Sequence, residues 1–178
     1  MRRSRASAPP RAALEIGEGF AGEGAEAAHV NTVLGPRDGP AGTAFATALA
    51  TPSAGHAPFV VVLRPSLPVK PLTLFVNKAA IAGDDHARLT WGAAQAGVAG
   101  GVADAVADGS IPADEVDALV LLAAVWVAPA AGDGEAVYRN NRAATRAALE
   151  AGRRGLPELE AVLAARARPQ NPFFTPRG

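Results

Sequence analysis

Two residues of this chain combine a reactive side chain with a constrained backbone setting. His29 stands in His29-Val-Asn-Thr-Val-Leu34, an alternating run that predicts a half-buried strand. On such a strand His29, Asn31 and Val33 share one face, and Val30, Thr32 and Leu34 share the other. Imidazole is the side chain best suited to proton transfer near neutral pH, although a lone strand histidine can equally be structural. Lys78 interrupts a second predicted strand, Thr73 to Ile81, on the face of Leu74, Val76 and Ala80. A lysine placed there must reach solvent, pair with a carboxylate or line a cleft. Trp91-Gly-Ala-Ala-Gln95 adds an aromatic and an amide at the start of a predicted helix. They would suit a flat heterocycle, and packing explains the indole equally well.

Other chemistries find little support. The chain has no cysteine, so disulfides, thiol nucleophiles and thiolate-bound metals are excluded. His29, His56 and His86 show neither HxH nor i,i+4 spacing, and no metal site is expected. His56 and His86 both read as loop residues. Gly17-Glu-Gly-Phe-Ala-Gly22 matches the GxGxxG pattern formally. It begins within Leu14 to Phe20, which could pair as a short strand. No strand clearly precedes it, no helix opens from it, and Glu18 and Glu23 would repel a pyrophosphate, so it reads as a glycine-rich turn and not a nucleotide site.

The positioning elements follow from periodicity. Hydrophobic residues at 49% and charged residues at 19% describe a folded chain, and 178 residues suffice for one domain with a proper core. Pro40 opens a helix whose apolar stripe is Ala41, Ala44, Phe45, Ala48 and Leu49. Phe59 to Leu63 predicts one continuous buried strand. A long small-residue helix runs from about Trp91 to Asp108, with Ala94, Val98, Gly101, Val102 and Ala105 facing a sheet. Pro112 begins a short helix, Leu119 to Val127 a central strand, Asp133 a long helix to about Arg154, and Pro157 a last amphipathic segment. The sum is a two-layer α/β domain over residues 14–178, preceded by an arginine-rich disordered tail over 1–13. Seventeen basic residues balance seventeen acidic ones, which gives no field for nucleic acid or an acidic membrane surface. The longest apolar run, Ala118 to Ala131, holds fourteen residues and Pro129, short of the roughly 20 that span a bilayer. A cytoplasmic protein is expected.

Six collinear strings carry a resemblance. Ala28-His29-Val-Asn-Thr-Val-Leu-Gly35-Pro36, Pro40-Ala-Gly-Thr-Ala-Phe45, Leu67-Pro-Val-Lys70-Pro71, Asn77-Lys78-Ala-Ala-Ile81, Gly92-Ala-Ala-Gln95 and Asp104 to Pro112 resemble the formaldehyde-activating enzymes in order and nearly in spacing. Asn171-Pro-Phe173 is similar to that family's ending. The resemblance implies a fold like domain 2 of ribosomal protein S5 and a ring-shaped homopentamer with clefts between subunits. It implies condensation of formaldehyde with tetrahydromethanopterin, or a related reduced pterin, to the methylene-pterin and water, without a metal. His29 matches the family's catalytic histidine and would act as general acid. Asn31, Val60, Lys78 and Gln95 correspond to pterin-contacting positions. Asn31 stands where the family carries aspartate and Ala80 where it carries threonine. A homologue that binds a pterin or small aldehyde as carrier or sensor, without turnover, is the alternative expectation.

Overall fold

The computed structural model describes residues 14–172 and 174–177; the tail expected over 1–13 lies outside them. Seven strands are present among the described residues: β1 (Glu15–Ala21), β2 (Ala28–Pro36), β3 (Phe59–Val60), β4 (Val62–Arg64), β5 (Leu67–Pro68), β6 (Leu72–Asn77) and β7 (Leu119–Trp126). The helices are α1 (Pro40–Ala50), α2 (Asp84–Arg88), α3 (Gln95–Ala107), α4 (Gly134–Arg154) and α5 (Leu159–Ala165). Five strands form one mixed sheet in the order β1-β2-β7-β6-β3, with β6 and β7 parallel and the other pairs antiparallel. The expected α/β class holds.

Leu119 to Trp126 occupies the middle of this sheet, where both faces need cover, and its Leu-Val-Leu-Leu-Ala-Ala-Val run supplies apolar side chains to each. On one face Val30, Leu34, Leu121, Ala123, Val125 and Phe75 are buried under α4, with α3 packed beside it. Phe59 stacks on Phe75 with ring centroids 5.1 Å apart, which closes that face at the β3 edge. Asp133 caps α4 as expected, its side chain accepting from Ala136 N–H. On the other face α1 lies against β2, β7 and β6, leaving the His29 end of the strands open.

Several expectations change. Gly17 and Gly19 lie within strand β1, and only Gly22, with φ +82°, belongs to the turn that follows. An added Cβ would come within 1.8 Å of Ala148 O at Gly17 and 2.1 Å of Ala144 O at Gly19, so the hydrogen side chains admit the α4 backbone directly onto β1. Phe59 to Leu63 is not one strand. Val61 donates to Thr73 O and accepts from Val69 N–H, turning the chain from β6 to the small β4–β5 hairpin. The helix expected from Trp91 starts earlier, at Asp84, and passes through a π-helical turn over Leu89–Ala94 before α3. Its small-residue side meets α4 more than the sheet, with Gly97 and Gly101 against the Tyr138 and Arg142 carbonyls. After Pro112 the chain forms successive turns, closed by Glu115 N–H to Pro112 O and Ala118 N–H to Glu115 O, instead of a helix. In α1 only Ala41 is buried, while Ala44 and Leu49 of the expected stripe are exposed. The amphipathic segment after Pro157 forms α5, whose Leu159, Val162 and Leu163 remain exposed.

Candidate active site

Strand register brings the reactive residues together. Phe20, His29 and Trp126 stand abreast across β1, β2 and β7, and Glu18, Asn31 and Ala124 make the next row. Parallel pairing of β6 with β7 ends at Asn77 opposite Val125, and Lys78 N–H donates to Val125 O at 2.8 Å. That bond carries Lys78 to the Trp126 end of the same open face. Residues 18, 29, 78 and 126 are far apart in the chain, and the sheet alone makes them neighbours.

These groups are hydrogen-bonded into one chain. Lys78 Nζ donates to Asn31 Oδ1 at 2.8 Å and lies 3.3 Å from His29 Nδ1. Across the ring, His29 Nε2 lies 3.0 Å from Glu18 Oε1. With a lysine N–H directed at Nδ1, the ring proton belongs on Nε2, from which it is donated to Glu18. Burial lowers the pKa of His29 below the ordinary histidine value, and the Lys78 ammonium lowers it further. Glu18 opposes both, through its charge and its hydrogen bond. Burial likewise lowers Lys78, again against the charge of Glu18. Asn31 supplies an acceptor without a negative charge. A second ring proton on Nδ1 would point at Nζ, so Nζ and Nδ1 share a site for one proton between them.

His29, Asn31 and Lys78 edge a cleft of about 800 Å³ lined also by Phe20, Glu23, Ala27, Trp126, Ala128 and Pro172, with Glu18 behind the imidazole. Aromatic and aliphatic walls around a few convergent polar groups suit a flat, partly polar ring system. Among the described residues no group of histidine, aspartate and glutamate side chains could hold a metal.

The remaining sequence candidates lie elsewhere. Gln95 is buried at the start of α3, its Oε1 accepting from Val62 N–H at 2.7 Å. Val60 is on β3 opposite Leu74, and neither it nor Gln95 lines the cleft of a single chain. Trp91 sits in the π-helical turn, also away from the cleft. His86 is not a loop histidine: it is buried in α2, where Nδ1 accepts from Ala82 N–H and Nε2 donates to Val127 O, both at 3.0 Å. Glu18 and Phe20 are the site residues that sequence reasoning missed. Antiparallel pairing of residues 15–21 with 28–34 would have placed Glu18 diagonal to His29.

The sequence profile described as formaldehyde-activating enzyme (Fae) matches residues 16–174, which includes every member of this cluster. The chain belongs to the formaldehyde-activating enzyme family. It is 44% identical over 150 residues to the bifunctional enzyme Fae/Hps of Methanosarcina mazei, covering 84% of this chain and 38% of that protein. With the enzyme of the same name from Methanococcoides burtonii it shares 45% identity over 148 residues, 83% of this chain and 37% of the relative. The chain thus spans well under half the length of these bifunctional relatives. A protein of Methanosarcina barkeri named 5,6,7,8-tetrahydromethanopterin hydro-lyase is 40% identical over 158 residues, 89% of each chain.

Proposed function

We propose that this protein condenses formaldehyde with tetrahydromethanopterin, or a related reduced pterin, to give the methylene-pterin and water. The observation that carries the reading is the Glu18–His29–Lys78–Asn31 chain of contacts at the mouth of an aromatic-walled cleft, in a member of this family. Addition of an amine to formaldehyde gives a carbinolamine, which loses hydroxide poorly unless a proton arrives as the C–O bond breaks. His29 is the general acid for that step. Holding the two reacting nitrogens of the pterin against one carbon supplies much of the remaining acceleration. Phe20 and Trp126 form walls suited to the pterin ring, while Asn31 and Lys78 offer it polar contacts.

Val60 and Gln95 take their expected substrate-binding roles if the cleft is completed by a neighbouring subunit. That need supports a homopentamer with its sites between chains. The mixed sheet with helices on it accords with a fold like domain 2 of ribosomal protein S5. A cytoplasmic role in one-carbon metabolism, disposing of free formaldehyde, follows from the activity. Among the described residues no helix is long and apolar enough to cross a membrane.

The test is to mix the protein with formaldehyde and intact tetrahydromethanopterin and follow methylene formation against the spontaneous rate. Excess rate is expected, and His29→Ala should cut it by about 100- to 10,000-fold, the usual worth of a general acid. No excess over background overturns the proposal. Pterin binding measured by calorimetry, without turnover, would make the protein a carrier instead.

A further inference from the structure

The cluster holds a group that a proton-transfer role leaves unused. Lys78 is one of only two lysines in the chain, against fifteen arginines. Its amine is half-buried at the cleft, and its partners are a neutral amide oxygen and a ring nitrogen rather than a carboxylate. We propose that Lys78 Nζ is the nucleophile that captures formaldehyde, as an enzyme-bound methylene iminium, before the carbon passes to the acceptor amine. The final transfer rests on the function proposed above; the capture step does not.

The hydrogen-bond geometry suits a free amine. Neutral Nζ keeps two N–H groups, and two acceptors are in place for them, Asn31 Oδ1 and His29 Nδ1. The lone pair is then left for the cleft. Burial favours this neutral form, and the charges facing Nζ decide how strongly. From β1 comes Glu18, which lies beyond the imidazole and favours the ammonium; from the segment after β1 comes Glu23 on the cleft wall; from β2 come His29 and the uncharged Asn31. The other lysine is in the opposite situation. Lys70 Nζ lies 2.5 Å from Asp117 Oδ1 on the surface, paired with a full carboxylate.

The steps balance through His29. The Nζ lone pair adds to the carbonyl carbon, and the C=O π pair becomes an alkoxide. The proton that cationic Nζ must lose passes to His29 Nδ1, already in hydrogen-bond reach, and on to that oxygen. The imidazole takes up one proton from solvent and delivers it to the carbinolamine hydroxyl. The C–O bond breaks, water leaves, and Nζ=CH₂ remains as a cation. The first acceptor nitrogen then bonds to the CH₂ carbon and releases its proton, returning the one consumed. When the second acceptor nitrogen closes on the same carbon, the C–Nζ bond breaks and that nitrogen's proton restores the Nζ amine. Glu18, hydrogen-bonded at Nε2, steadies each imidazolium stage.

Reductive trapping tests this without any pterin. The full chain is treated with dilute formaldehyde and sodium cyanoborohydride, which converts each methylene iminium to a methyl-lysine, and peptides are read by mass spectrometry. Lys78 should be methylated several-fold faster than Lys70, although Lys70 is the more exposed. His29→Ala should slow labelling of Lys78 and leave Lys70 unchanged. Lys70→Arg should retain both trapping and turnover, whereas Lys78→Arg, checked for folding by circular dichroism, should lose both. Labelling of Lys78 no faster than that of Lys70, or turnover of a folded Lys78→Arg variant at the parent rate, overturns the proposal. Selective trapping with no turnover of tetrahydromethanopterin would sink the proposed function and leave capture standing. Turnover without selective trapping would do the reverse.

Discussion

At the scale of the residue, the site is governed by where one proton sits among three groups. Glu18 raises the pKa of His29 through its charge and its hydrogen bond. Glu18→Gln removes the charge and leaves only a neutral acceptor, so His29 should titrate at lower pH in the variant, and the alkaline fall in rate should begin earlier. With only three histidines to assign, the ring-proton resonances followed by NMR against pH provide the check; an unmoved midpoint would exclude Glu18 from this role. Stability carries the same signature. The folded-state value of His29 lies below the ordinary 6.5, so on acidification the unfolded chain binds a proton that the folded one refuses. The contribution is fully present above pH 6.5 and is lost as pH falls from there through the folded value. Denaturation midpoints of wild type and His29→Gln, measured at neutral and mildly acid pH, should converge toward acid. Parallel curves would contradict the assignment.

At the scale of the element, backbone approach and buried hydrogen bonds hold the site in place. Gly17→Ala would force β1 and α4 apart, since its Cβ meets the Ala148 carbonyl at 1.8 Å. An overpacking cost of about 1–3 kcal/mol is expected, read as a lowered midpoint in denaturant. His86→Leu would strand Ala82 N–H and Val127 O, at about 1–3 kcal/mol for each orphaned group, read as a lowered midpoint in denaturant. These two positions also mark what the sequence makes legible. Strands with a regular alternation, such as residues 28–36, and the capped helix from Asp133 follow from local pattern. Gly17 and Gly19 do not, because the reason for them is a helix about 130 residues further on. His86 resembles a loop residue for the same cause: its partner, Val127, belongs to another element. The turns after Pro112 show the limit from the other side, where a favourable helix start is followed by too few residues before β7 begins at Leu119.

At the scale of the whole molecule, the cleft of one chain gathers His29, Asn31 and Lys78 but not Val60 or Gln95. Alternation puts His29 and Asn31 on one face of β2, while Lys78, expected within a strand to Ile81, lies one residue past β6 and reaches the same cleft. Gln95 reads as a ligand contact from its place in a string, whereas in the fold its amide oxygen is committed to Val62 N–H. If neighbouring subunits complete the cleft, light scattering should find a particle of five 18.0 kDa chains. A monomer active at the full rate would leave no place for Val60 in binding. Gln95→Ala separates the two roles: loss of stability alone points to the Val62 bond, and a raised KM in a folded variant points to a ligand in the assembled ring.

Strand β1 is built so that its two sides answer to different demands. Positions 17 and 19 admit only hydrogen, because α4 rests on them; on the other side Glu18 bonds His29 and Phe20 lines the cleft. Anyone re-tuning this protein for a bulkier aldehyde or another acceptor therefore has a natural library. Residues 18 and 20 can be randomised together with little harm to folding, while each clone altered at 17 or 19 starts with its stability lowered before its chemistry is screened.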